Sequence, residues 1–94
     1  MTKADIVSEI SRKTGVEKVT VEKTVEAFME SVKESMIDGQ DVYLRGFGSF
    51  VVKKRAQKKA RDIGKNKEIV LPEHYIPSFR PSKKFVSQVK TNVK

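Results

Sequence analysis

The chain has no cysteine, no tryptophan and a single histidine, His74, among its 94 residues. Without thiols no disulfide can form, and one histidine leaves no donor set for a zinc centre, so no metal and no cofactor are expected. The same poverty argues against catalysis. No carboxylates cluster, and no nucleophile lies beside a base, so the expectation is a protein that is not an enzyme. Long apolar runs are also missing, which excludes a membrane-spanning helix of about 20 residues. The opening MTKADIVSEI alternates charged and apolar residues instead of forming the apolar core of a secretion signal, and an intracellular, cytoplasmic protein is expected. Aromatic residues are few, five Phe and two Tyr, and their core-like positions do not suggest the stacking platform of an RNA-binding module.

Size sets a further bound. Ninety-four residues make one domain, 1–94, and fewer than eighty remain for a core once the most charged stretch is set aside. Chains this short are marginal unless something staples them. With disulfides and metals excluded, oligomerisation remains.

What the chain has is positive charge, unevenly placed. Residues 1–44 carry six basic and nine acidic groups, net −3, whereas residues 45–94 carry fourteen and three, net +11. The segment KKRAQKKARDIGKNK, 53–67, alone holds eight basic residues and one acid, net +7. A run of this kind repels itself and has too little apolar surface to bury, so it calls for an anionic partner. Nucleic acid fits better than membrane, because no basic segment is strongly amphipathic. Within the run, Ile63 stands between Asp62 and Gly64, where turn chemistry places a solvent-facing tip. Two readings of that tip stay open: an apolar point for prying nucleic acid apart, or a solvated loop with an incidental isoleucine.

Along the chain, Thr2 and Asp5 have capping-box spacing, and Ile6, Val7 and Ile10 recur at helical spacing, so a helix is expected over 3–13 with Gly15 closing it. A second helix over 18–38 has Val21, Val25, Phe28, Met29, Val32 and Met36 on one stripe, with Gly39 as its stop. The two read as a packed helical hairpin with the methionines as core fillers. From Asp41 the period becomes 2. Val42 and Leu44 oppose Tyr43, Gly46-Phe47-Gly48 forms a bend, and a strand through Phe50 and Val52 continues outward from Lys53 as an unbroken arm. Residues 67–71 return as its partner as far as Pro72. Residues 75–79 then form an edge strand with Tyr75 and Phe79 packing inward, and His74 reads as a loop residue. A short helix follows Ser82, its N-cap, with Phe85, Val86 and Val89 on its apolar face. Lys83 and Lys84 in its first turn oppose the helix dipole, as Lys3 does at the first helix. A docked phosphate would remove that conflict, and Arg80 stands beside it.

This order of elements, with RGFGSF at 45–50, RAQKKARDIGKNKEI at 55–69 and IPSFRPSKKF at 76–85, resembles the bacterial histone-like family that includes HU and integration host factor. The resemblance spans essentially the whole chain. It implies an α+β fold: a helical hairpin base, a three-stranded antiparallel β saddle, an extended β-ribbon arm over about 53–73, and a short C-terminal helix. It also implies an intertwined dimer, either a homodimer or a heterodimer with a paralogue, that wraps double-stranded DNA in the minor groove within the nucleoid. The implied function is architectural DNA bending with low sequence specificity; the alternative is a site-selective subunit of the integration host factor kind. Arg61, Asp62 and Ile63 fall where the family has Arg-Asn-Pro. Isoleucine keeps an apolar wedge of the sort used by minor-groove architectural proteins, of which HU and integration host factor are themselves examples, but lacks the rigid ring of proline.

The roles implied are then as follows. Ile63 is the wedge, with Arg61, Lys65 and Lys67 at the minor groove. Lys53, Arg55, Lys58 and Lys59 follow phosphates along the arm. Arg80, Lys83, Lys84 and Lys3 hold the flanks, and Arg45 with the backbone of Gly46 and Gly48 lines the saddle. Phe47, Phe50 and Phe79 form the dimer core.

Overall fold

The computed structural model describes residues 1–62 and 67–93, with the backbone alone at 58–62 and 67–69. The chain divides into two compact units, Met1–Ser35 and Met36–Lys94. The first holds α1 (Lys3–Thr14) and most of α2 (Lys18–Ile37). Thr2 and Asp5 form the expected capping box: the Thr2 N–H donates to Asp5 Oδ2 at 2.9 Å, and the Asp5 N–H donates to Thr2 Oγ1 at 3.3 Å. Two of the N–H groups that a helix start leaves without partners are thereby satisfied. At the other end Gly15 takes φ 77° and donates to the Ser11 carbonyl, a left-handed cap that a residue with a Cβ adopts only under strain. Val7 and Val21 are buried, one from each helix. Much of the rest of the α2 stripe is not: Phe28 is 47% exposed and Met29 41%. Met29 therefore does not fill a core within one chain, while Met36 is half-buried.

The second unit carries β1 (Val42–Leu44), β2 (Gly48–Arg55), β3 (Lys58–Asp62), β4 (Lys67–Leu71), β5 (His74–Pro81) and α3 (Lys83–Asn92). β1, β2 and β5 make an antiparallel sheet with β2 central, so β5 is the edge that its two prolines require. β3 and β4 pair separately. In the loop from β1 to β2 the Phe47 N–H donates to the Leu44 carbonyl at 3.0 Å, and Gly46 at φ 83° occupies the turn position that needs positive φ. Phe47, Phe50, Phe79 and Phe85 meet in one cluster, with ring centroids 4.9 Å apart for Phe50–Phe79, 5.1 Å for Phe47–Phe79 and 5.5 Å for Phe47–Phe85. Gly48 is buried beneath it. A Cβ there would stand 2.7 Å from the Phe79 ring and 2.6 Å from the Arg80 carbonyl oxygen, so glycine is required by packing.

The arm differs from the unbroken ribbon that the sequence suggests. β2 ends at Arg55, opposite His74, and β3 resumes at Lys58, opposite Leu71. Ala56 and Gln57 face Glu73 and Pro72 across a gap in the ladder. Proline has no N–H to donate, which is a local cause for pairing to lapse there. Pairing nevertheless resumes in phase, three residues along each strand. His74, expected in a loop, is the first residue of β5. Tyr75, expected to pack, is 65% exposed on β5.

Candidate nucleic-acid interface

Strand alternation sorts the sheet into two faces. On one lie the cross-strand pairs Gly48 with Pro81, Phe50 with Phe79, and Val52 with Pro77. On the other lie Ser49 with Arg80, Val51 with Ser78, Lys53 with Ile76, and Arg55 with His74. One face is thus aromatic and aliphatic as far as Val52, with Lys54 opposite Tyr75 at its arm end, and the other carries Arg80, Lys53 and Arg55, all exposed. The sequence produces this by ending the apolar members of β2 at Val52 and following them with Lys53-Lys54-Arg55, two of which alternation puts on the face of Arg80.

At one end of the sheet the β1–β2 turn is tied to the start of α3. The Ser82 N–H donates to the Phe47 carbonyl at 2.9 Å, and Ser82 Oγ donates to the Gly46 carbonyl at 3.2 Å. The same Oγ accepts the Phe85 N–H at 3.2 Å, which makes Ser82 the N-cap. Arg45, Gly46, Arg80 and Lys83 are thereby gathered around one open cleft that Gly48, Ser49 and Tyr43 also border. α3 has no acid in its first turn. Its dipole and the three cations therefore act in the same sense on anything that enters the cleft, an arrangement suited to a phosphate.

Of the residues singled out from the sequence, Arg45, Gly46, Arg80 and Lys83 come together here, and Lys84 follows at the second position of α3. Gly48 borders the cleft but is buried, so packing beneath Phe79 decides its identity. Lys53 and Arg55 lie further along the basic face toward the arm. Lys58 and Lys59 are on β3, Arg61 lies opposite Glu68, and Lys67 begins β4 opposite Asp62. Ile63 and Lys65 fall outside the described residues, and with them the tip.

Lys3 stands apart in the first unit. Its Nζ donates to Glu26 Oε1 at 2.7 Å, and that hydrogen bond, with the attraction of the same carboxylate, raises its pKa. The pair is half-exposed, and helix spacing could not have revealed this i to i+23 contact. Lys54 pairs with Glu73 at 2.9 Å beside the gap in the ladder, a half-exposed bridge that contributes little to stability. The sequence reading passed over Tyr43, which is 74% exposed and borders the cleft. The available signal was that an aromatic ring alternates with Val42 and Leu44 and so must leave the core.

Comparison with known proteins agrees with this architecture. The chain is 33% identical over 90 residues to DNA-binding protein HU of Thermotoga maritima, covering 96% of this chain and all of that one. It is 35% identical over 95 residues to the beta subunit of integration host factor from Marinobacter nauticus, covering 100% of this chain and 97% of the relative. The HU chain of an Anabaena HU–DNA cocrystal structure superposes with a TM-score of 0.87 at 28% identity, and the match covers both chains completely. The sequence model described as bacterial DNA-binding protein matches residues 1–90. With the helical pair, the sheet with its basic face and the paired arm strands all falling inside that match, the chain belongs to the bacterial DNA-binding protein family of HU and integration host factor.

Proposed function

We propose that this protein is an architectural DNA-binding protein of the nucleoid, which as a homodimer wraps and bends double-stranded DNA with low sequence specificity. The observation that carries this reading is the phase of the ladder. One face of the sheet carries Arg80, Lys53 and Arg55, and its pairing register continues past the gap at Pro72 into β3 and β4, whose sequence includes Lys58, Lys59, Arg61 and Lys67. A cationic ribbon projecting from a sheet suits a groove and a phosphate backbone rather than a compact ligand.

Energetics apportion the work. Unstacking a base step costs a few kcal/mol, and burial of one isoleucine returns roughly 1.5–3 kcal/mol. The Ile63 wedge therefore breaks even at best. Bending adds a cost of about 1–6 kcal/mol that falls with flexibility, so nicked or pliable DNA is favoured. Net affinity must come from counterions released by lysine and arginine, with a steep dependence on salt. In the minor groove Ile63 enters the stack, with Arg61, Lys65 and Lys67 beside it. Lys53, Arg55, Lys58 and Lys59 follow the backbone, and Arg45, Arg80, Lys83 and Lys84 hold it near the sheet.

The dimer is supported by the burial pattern. Among the described residues Val7 and Val21 are the buried hydrophobic side chains, while Phe28, Met29, Phe47 and Phe79 remain more than a third exposed. An open apolar depression lined by Phe79, Pro81, Phe85, Val86 and Val89 adjoins the cluster. A second copy of the chain would cover such surfaces, and sedimentation at micromolar concentration should find a dimer.

Bending is tested with end-labelled duplexes by energy transfer. Ile63→Ala should reduce the bend more than it reduces affinity at low salt; equal loss of both, or a straight duplex with the wild-type protein, refutes the wedge. A second reading, a site-selective subunit, is favoured by the 35% identity to an integration host factor beta subunit. Competition against random DNA separates the two.

A further inference from the structure

Tyr43 lies on the basic face of the sheet. It pairs with Ser49, and Ser49 pairs with Arg80, so the three form one row across β1, β2 and β5. Neighbouring strands stand about 4.8 Å apart, which puts the Tyr43 and Arg80 backbones roughly 10 Å from each other. The ring also borders the cleft of Arg45, Arg80 and Lys83. Its hydroxyl donates a long hydrogen bond, 3.4 Å, to Asp41 Oδ2, while Asp41 Oδ1 accepts the Val52 N–H at 2.8 Å. The phenol contact is too long to hold the ring, so the position of Tyr43 is set by its place in the β1–β2 ladder. The ring, 74% exposed, is left in water.

An aromatic surface beside three cations complements a nucleotide: the cations meet the phosphate, and the ring meets what is attached to it. We infer that Tyr43 is an uncharged DNA contact, its ring packed against the deoxyribose and base edge of the strand whose phosphate sits among Arg45, Arg80 and Lys83. The inference rests on the DNA-binding reading above and adds to it a component of affinity that salt does not weaken. Lysine and arginine contacts displace counterions and set the slope of affinity against salt. A ring contact displaces none, so it shifts the line without tilting it.

The test is a titration of a labelled duplex with wild type, Tyr43→Ala and Tyr43→Phe at several salt concentrations. Tyr43→Ala should bind roughly five- to tenfold more weakly at every salt concentration, the lower end of base–aromatic stacking, with the slope unchanged. Tyr43→Phe should bind as wild type. As a readout on an intact ring, Tyr75→Phe leaves Tyr43 as the sole tyrosine of a chain without tryptophan, and its fluorescence should be quenched by DNA. Wild-type affinity for Tyr43→Ala, or fluorescence indifferent to DNA, overturns the inference while a steep wild-type salt slope leaves the underlying reading standing. A wild-type affinity independent of salt overturns that reading as well.

Discussion

Replacing Gly48 by alanine is expected to destabilise the protein by about 2 kcal/mol, within the range of roughly 1–3 kcal/mol for overpacking a filled site. The added methyl would lie 2.6 Å from the Arg80 carbonyl oxygen and 2.7 Å from Cε1 and Cζ of Phe79. The Phe79 ring, 37% exposed, can yield in part, but the Arg80 carbonyl cannot give way locally. Phe79 is held between Phe47 and Phe50, with centroids 5.1 Å and 4.9 Å away, and the Arg80 carbonyl belongs to the β2–β5 ladder. Relief requires moving β5 as a strand. Gly48 is not in the positive-φ set, so the cost is steric and not a matter of backbone conformation. For a chain of this length, 2 kcal/mol corresponds to a fall in Tm of roughly 8–16 °C. Circular dichroism melts at one fixed protein concentration measure it, because the proposed dimerisation would make Tm depend on concentration. Gly46→Ala is the informative control: nothing lies within 4 Å of its Cβ, but φ 83° imposes a cost of about 1–2 kcal/mol on any L-residue. A Gly48→Ala protein melting within about 2 °C of wild type, under about 0.5 kcal/mol, would refute the packing argument.

Ser82→Ala removes the acceptor for the Phe85 N–H and the donor to the Gly46 carbonyl, and should lower stability by about 1 kcal/mol, read as a Tm shift. Pro72→Ala restores an N–H at the gap in the ladder; if proline is its cause, hydrogen exchange at Ala56 and Gln57 should slow, and unchanged exchange would point elsewhere. Hydrogen bonds from the Thr2 backbone and side chain hold the Asp5 carboxyl below its ordinary 3.8. The stability this contributes is present above the unfolded value and lost as pH falls through the lower folded one. Thr2→Ala removes the side-chain hydrogen bond but keeps the larger backbone one, so it should raise the Asp5 pKa only part of the way toward the ordinary value in an NMR titration.

The helices were legible because their punctuation is local. Thr2, Asp5, Gly15, Gly39 and Ser82 act within a few residues of themselves, and both ends of α1, the end of α2 and the start of α3 lie within a residue or so of where those signals put them. The basic face was legible in outline, since the apolar members of β2 end at Val52 and Lys53, Lys54 and Arg55 follow. Three things were not. The Lys3–Glu26 pair depends on how two helices meet, which spacing along either one does not encode. The burial of Gly48 depends on a ring contributed from 31 positions further along the chain, although the cross-strand register makes it plain. The lapse at Ala56 and Gln57 is written in the opposite strand, where Pro72 was noticed as an end to pairing but not as a gap that pairing resumes beyond.

That gap has a consequence for how the arm can vary. Because Arg55–His74 and Lys58–Leu71 share one phase, every backbone position beyond the gap keeps the parity set by the sheet. A single residue inserted into one strand alone would reverse that parity for everything distal to it, unless a bulge absorbed it. Viable changes of reach must therefore be symmetrical, one residue added to or removed from each side of the hairpin, and arms of different length built on this scaffold should differ by even numbers of residues.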